Sequence, residues 1–384
     1  MTLDEVLSNE DLRRHEFPVS CQQAYLAHAA ASPLPRRVSE AVQAAARESM
    51  VEAHDSPAFS SMLTETRSLA ARLLGATAEE IALVGSTSVG LSLVVGGLSL
   101  RRNANVLIYF DDAPSNVHPW MTLAARGIEV RLLNVRELGR IRAIDVLGQI
   151  DEDTRMVALS SCHFVAGWRL ELAAIGRTLR KRGILFCVDG IQTVGAFPTP
   201  VEFVDILAAG AHQWLLGPAG AGFLYVRRDV QERLAPAVYG WRNIEGPGLV
   251  AEAKTRFRSD AQRYEAGTAN WLGNAGLRAA LELILEVGVE AIAAELLRKR
   301  AWLLPELEAR GCVVLQAQAP EANRSGIVSF HRPGTDLAAL HQQLAALGVV
   351  TSLRADRSGQ PYLRLSPHFY NTDAELSRVI DALS

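Results

Sequence analysis

Short apolar runs recur along the first 230 or so residues of the chain, at 81–84, 106–110, 130–134, 156–160, 184–188, 206–209 and 222–226. Helical patterns fall between several of them, for example over 171–182. Strands that are apolar throughout, joined by helical crossovers, predict a mostly parallel sheet covered on both faces. Ahead of this series, residues 1–18 read as a short helical arm, and 25–35 as an extended segment broken by prolines. A long amphipathic pattern then runs from 36 to 74, interrupted near Ser56 and Pro57. The texture changes after Arg228. A Gly/Trp/Pro loop over 239–248 is followed by helices at 274–285 and 291–310 and short strands at 327–330 and 362–365. The pattern predicts an α/β chain with an arm over 1–18, a large domain over 19–245 and a smaller α+β domain over 246–384. No repeat or low-complexity tract interrupts it.

Composition narrows the classes of function. The 384 residues are 49% hydrophobic and 21% charged, ordinary for a soluble globular protein with ample core. A formal net charge of -3 gives no electrostatic case for nucleic acid or an anionic membrane. The longest apolar runs, such as 91–98, fall far short of the roughly 20 residues that span a bilayer. The N-terminus is acidic and lacks a signal-peptide pattern. The four cysteines, Cys21, Cys162, Cys187 and Cys312, are scattered without metal-ligand spacing. Together these features predict a reducing, cytoplasmic setting.

Chemistry gathers at the ends of the apolar runs. Between the runs at 206–209 and 222–226 stands a polar pair, His212 and Gln213, at a strand end where α/β proteins place their sites. Ser86, Thr87 and Ser88 lie between a strand and a helix, with Gly85 and Gly90 allowing close backbone approach. Such a helix start favours a phosphate, but hydroxyls there serve equally as N-caps. Asp189 closes an apolar strand, a place also suited to a turn former. Arg364 lies in a late strand, where it reads as a surface residue.

The stretch 210–226, G-A-H-Q-W-L-L-G-P-A-G-A-G-F-L-Y-V, resembles the cofactor-lysine motif of fold type I pyridoxal-phosphate (PLP) enzymes. Within them it is similar to the class V aminotransferase and cysteine desulfurase group, whose motif reads S-x-H-K-W-L-x-G-P-x-G-x-G-F-L-Y-V. The resemblance continues from Tyr25 to Thr372. It implies a fold type I transferase: a large domain around a mostly parallel seven-stranded sheet, and a smaller α+β C-terminal domain. Thr87 and Ser88 match the phosphate loop. Asp189 and Gln192 match the D-x-x-Q pair that engages the pyridine nitrogen and the ring hydroxyl. A carboxylate at that nitrogen keeps the ring cationic, able to accept electrons from a substrate carbanion. The segment 112–120, D-A-P-S-N-V-H-P-W, matches the one lying over the ring, with Pro114 where desulfurases carry a stacking histidine. His118 or Trp120 either approaches the cofactor there or packs structurally. R-Y-E-A-G-T at 263–268 implies that Thr268 reaches the phosphate of a second subunit, hence a homodimer with shared sites. R-L-S-P-H-F-Y-N-T at 364–372 assigns Arg364 to the α-carboxylate of an amino-acid substrate.

Two positions depart from the motif. Gln213 stands where the Schiff-base lysine belongs, and Gly210 where the motif has serine. A glutamine amide is neither nucleophilic nor basic near pH 7, so a covalent link to the cofactor is excluded at this position. Lys181 and Lys299, in helices, and Lys254, in a loop, do not replace it by sequence. Three explanations follow. The chain is an enzyme that uses non-covalently held PLP or pyridoxamine phosphate, with His212 moving the proton; or a non-catalytic relative that binds a ligand or partner; or an engineered lysine-to-glutamine form of an ordinary aminotransferase or lyase. Gly210, a second change in one motif, favours natural re-purposing over engineering. The mobile loop bearing the desulfurase cysteine is expected near 351–360, which holds no cysteine.

Overall fold

The structure, a computed structural model, describes residues 1–52, 57–246 and 256–383. Its centre is a seven-stranded sheet. The strands are β1 (Ile81–Val84), β2 (Asn105–Ile108), β3 (Glu129–Leu132), β4 (Thr154–Ser160), β5 (Leu185–Asp189), β6 (Ile206–Gly210) and β7 (Gly222–Val226). Their order in space is β1-β7-β6-β5-β4-β2-β3, and β7 alone runs antiparallel to its neighbours. Every residue of β1, β2, β5, β6 and β7 is buried, so the apolar runs are strands covered on both faces. The edge strand β3 is partly exposed and carries Glu129 and Arg131, which keeps an open edge from pairing with another chain.

Alternate residues of these strands feed two cores. Val157, Phe186, Leu207 and Phe223 pack with helices α1 (Pro57–Leu74) and α4 (Trp271–Val287). Ala158, Cys187, Ala208 and Leu224 pack on the other face with helix α2 (Thr87–Gly97). The small residues of α2 let it lie close to the sheet and to the segment that follows β7. A Cβ on Gly90 would stand 3.0 Å from that of Ala208, and one on Gly97 would meet the Ala235 carbonyl at 2.0 Å. Helix α3 (Leu172–Lys181) precedes β5 and realises the pattern at 171–182.

Beyond α4, helix α5 (Val289–Ala309) leads into a four-stranded antiparallel sheet: β8 (Val313–Val314), β9 (Val328–His331), β10 (Ser352–Ala355) and β11 (Pro361–Leu365). This sheet forms a separate core with the helices Leu337–Ala346 and Asp373–Asp381. Contiguity in sequence is not contiguity in space. Ala24–Tyr25 pairs in parallel with Val349–Val350, and Leu26 enters the small core. Helix α4, though past residue 246, packs on helices of the large domain. The segment 351–360, expected as a mobile loop, is instead β10 and a tight turn leading into β11. Asp356 holds that turn by accepting from Ser358 and Gln360. Among the described residues no helix is long and apolar enough to cross a membrane.

Candidate active site

The C-terminal ends of β1, β4, β5 and β6 share one edge of the sheet, with the start of β7 beside them. Gly210 pairs with Gly222 at this edge. A Cβ on Gly222 would lie 2.4 Å from the Ala209 carbonyl, so the two strands approach as only glycine allows.

After β1 the chain turns into α2. Ser86 caps the helix, its hydroxyl accepting from Val89 N at 3.2 Å. Thr87 is buried, and its hydroxyl accepts from Gly210 N at 2.9 Å. Ser88 shares a hydrogen bond with Ser115 at 2.8 Å. The expected phosphate turn therefore sits against the end of β6. A Cβ at position 210 would stand 3.3 Å from His212 Nδ1 and 3.4 Å from Thr87 Oγ1. Glycine thus lets His212, half-buried and with its pKa lowered by that burial, lie close over the strand end.

Asp189 ends β5 and is 1% exposed. Its carboxylate accepts from Ile191 N at 3.0 Å. Burial raises its pKa to about 7, against the pull of that N–H and with a further push from Asp112. Asp112, unnoticed in the sequence, is itself held by Ala113 N, Asn116 and both the N–H and hydroxyl of Ser160. Gln192 donates to the Ala29 carbonyl at 3.1 Å and accepts from the Trp214 indole at 2.9 Å. Gln213 does the parallel thing one residue on, donating to Ala30 O at 3.3 Å. Its buried Oε1 has no hydrogen-bond partner among the described residues. Three residues later Leu216, fully buried, adopts φ 58°, a left-handed conformation uncommon outside glycine.

The small domain meets this region through β11. Arg364 in β11 is 1% exposed. Its Nη1 donates to the Phe164 carbonyl of the large domain at 2.6 Å, its Nη2 contacts Ser352 Oγ at 3.5 Å, and its Nε has no partner among the described residues. No carboxylate among the described residues pairs with it, and burial lowers its pKa to about 9, with Arg354 adding to the shift. Ser366, two residues on, accepts from Ala29 N at 3.0 Å, so the Ala29–Ala30 carbonyls are pinned between the two glutamines and β11. Sequence reasoning missed this pinning network. His28 donates to Ser366 O and accepts from the Tyr370 hydroxyl at 2.7 Å, while His368 donates to Trp214 O at 3.0 Å. Burial keeps both imidazoles neutral, that of His28 down to about 4. The only sequence signal was histidine and tyrosine inside otherwise apolar segments.

His118 is exposed at the start of a single helical turn. Trp120 is fully buried in the core beneath α2 and donates to Asn116 at 3.0 Å. Thr268 is exposed, and with Gly85 and Val89 it lines a cavity of about 330 Å³ beside the phosphate turn. Lys181 is exposed at the end of α3, just before β5 begins, hence at the opposite edge of the sheet. Lys299 is fully buried and held by Glu295 and the Phe369 carbonyl. Lys254 lies outside the described residues. Cys162, Cys187 and Cys312 are buried with raised pKa values, Cys162 to about 11. Cys21 is exposed on the N-terminal segment. The described residues contain no cluster fit to hold a metal ion.

Comparison with known proteins bears on this arrangement. The family model of class-V aminotransferases matches residues 24–379. A probable cysteine desulfurase of Methanothermobacter thermautotrophicus is 27% identical, over 98% of each chain. A cysteine desulfurase of Klebsiella pneumoniae is 30% identical over 83% of this chain and 81% of its own. Among solved structures, the apo cysteine desulfurase of Thermococcus onnurineus superposes with a TM-score of 0.88 at 24% identity, covering 98% of this chain and 97% of that one. A lysine-to-alanine mutant of C-DES, with glycine covalently linked to its PLP cofactor, superposes with a TM-score of 0.86 at 24% identity, covering 96% and 98%. With a fold type I architecture and a family match over nearly its whole length, the chain belongs to the class V aminotransferase family.

Proposed function

We propose that the chain is a PLP-dependent class V enzyme acting on an amino acid or related amine-bearing carboxylate, with its cofactor held without a covalent link. The observation that carries this reading is Gln213: a buried amide, one oxygen unpartnered, at the strand end beside an Asp189–Gln192 pair. The residues fit PLP by their unfilled hydrogen-bonding capacity. Asp189 has a carboxylate with one N–H donor and room for a pyridinium N–H. Gln192 keeps a second amide hydrogen for a ring hydroxyl. The start of α2 offers free N–H groups and the Ser88 hydroxyl to a phosphate. When bound, the cofactor supplies an electron sink for charge developing on the substrate. Arg364 then grips the substrate carboxylate, and the neutral imidazole of His212 carries the proton that a lysine amine would otherwise move. The C-DES mutant supports this reading, since it carries glycine linked to PLP after a lysine was removed.

Cysteine desulfurase activity, the description of several relatives, fits poorly. The segment that should bear the nucleophilic cysteine is a cysteine-free hairpin, and three of the four thiols are buried with raised pKa values. The amide of Gln213 also favours a second reading, ligand binding without turnover. Absorbance of the purified protein during PLP titration tests the shared premise. A saturable shift without an imine band is expected, and an unchanged spectrum at every PLP concentration contradicts a PLP site. A homodimer is part of the proposal. Exposed Val89 and Val238 line the Thr268 cavity, and Tyr239, Trp241 and Leu272, near them in sequence or near its lining residues Asn270 and Asn274, are exposed as well, which suits burial by a second copy. Light scattering should return twice the chain mass, and a monomer at micromolar concentration contradicts it.

A further inference from the structure

The hairpin that carries Arg364 places a second arginine beside it. Ser352 pairs with Arg364 and Arg354 with Tyr362, so these four side chains share one face of the sheet. Leu353 and Leu363 point the other way, into the small core. The face with the arginines looks onto the large domain, because Arg364 bonds the Phe164 carbonyl. Diagonal neighbours in such a ladder stand roughly 7–8 Å apart.

Arg354 is half-buried, yet it donates only to the Leu353 carbonyl, at 3.1 Å, and has no ion pair among the described residues. Its neighbours are already committed. Asp356 is consumed by the turn and by the Tyr362 hydroxyl. Asp111 faces Arg357 at 3.8 Å, and Arg357 also lies 4.4 Å over the Phe110 ring, docking the hairpin tip on the large domain. Two arginines thus stand diagonally on one face, partly out of water, with no counter-charge for either among the described residues. Burial weakens the hold of both on their protons, and at Arg364 the charge of Arg354 adds to the effect. Such a pair is unfavourable until anions arrive.

We propose that this site takes a substrate with two anionic groups, an α-carboxylate on Arg364 and a second carboxylate, sulfonate or phosphate on Arg354. The proposal rests on the amino-acid reading of Arg364 and narrows it to an acidic amino acid or its analogue.

Calorimetry on the PLP-loaded protein tests it with two matched pairs, L-aspartate against L-asparagine and L-glutamate against L-glutamine. Glutarate against butyrate, on the cofactor-free protein, probes the two anions without an amine. The acidic member of at least one amino-acid pair should bind about tenfold tighter or more. In Arg354→Gln that ratio should collapse towards one, and Arg354→Lys should restore part of it. Equal binding within every pair, or a preference that survives Arg354→Gln, overturns the proposal while leaving the amino-acid reading intact. Tight glutarate binding without binding of any amino acid supports the two-anion site and contradicts the amino-acid reading. Binding by no probe contradicts both.

Discussion

Two neighbouring strands bury an aspartate at opposite edges of the same sheet, and the two carboxylates are treated differently. Asp205, just before β6, accepts from Phe186 N at 2.8 Å and lies 3.1 Å from Arg227 and 3.5 Å from Arg180. Asp189, at the end of β5, has a single N–H donor and faces the charge of Asp112 instead of a cation. Burial raises the pKa of both, but two guanidiniums oppose the rise at Asp205. The cations divide in the same way. Arg67 is closed by Glu265 at 2.7 Å and Lys299 by Glu295, whereas the equally buried Arg364 meets only a carbonyl and a hydroxyl. Asp205, Arg67 and Lys299 are thus neutralised within the chain, although Arg300, also buried, meets only the Ile327 and Gln316 carbonyls. Asp189 and Arg364 keep hydrogen-bonding capacity at the edge where the candidate site lies, which is the basis of the proposed ligand roles.

The sharpest break in this comparison comes from its structural side. Glu265→Ala strands Arg67 and removes the acceptor of Leu83 N. It should cost about 3–5 kcal/mol of stability in urea denaturation, as the loss of one partner of a buried pair does. Arg364→Ala should cost far less stability, because no partner charge is stranded. It should instead weaken binding of a carboxylate-bearing ligand by about 2–5 kcal/mol, and Arg364→Lys should recover only part. Equal stability losses in the two alanine variants, with ligand affinity untouched in the second, would erase the distinction.

A smaller effect follows from Asp189. The unfolded carboxyl ionises near 3.8 and the folded one near 7, so the fold binds this proton more tightly than the unfolded chain does. The stability it contributes is complete below the lower value and lost as pH rises to the upper one. Asp189→Asn removes that loss. It should stabilise the cofactor-free protein at pH 8 by roughly 2–4 kcal/mol, and little at pH 4. The same change should weaken PLP binding. A variant that is less stable at pH 8 would show that Asp189 is closed like Asp205.

The large domain was legible because its strands are apolar throughout, and Ile81–Val84 and Gly222–Val226 match the expected runs to the residue. Helix α4 begins three residues before the expected 274, because Asn270 caps it by accepting from Gly273 N. The hairpin was half hidden: 362–365 read as a strand, but Ser352–Ala355 fell in the expected loop. Ser352–Ala355 and Pro361–Leu365 mix polar and apolar residues around a charged turn, and only pairing reveals that Arg354 and Arg364 share a face. At the site, Thr87, Asp189, Gln192, His212 and Gln213 were legible through the motifs that carry them. Asp112, His28 and His368 were not, because their roles depend on contacts with chain segments distant in sequence. Trp120 could be placed neither at the site nor in the core from its motif, and burial beneath α2 put it in the core.

The central claim, a PLP site without a covalent anchor at Gln213, meets its most direct test in intact-mass measurement after borohydride reduction. Borohydride converts a protein–PLP imine into a stable amine. The protein with Gln213, saturated with PLP and reduced, should retain its unmodified mass, whereas Gln213→Lys should gain one reduced cofactor per chain. A borohydride-stable PLP adduct on the protein with Gln213 would mean that another lysine holds the cofactor, and would contradict the account.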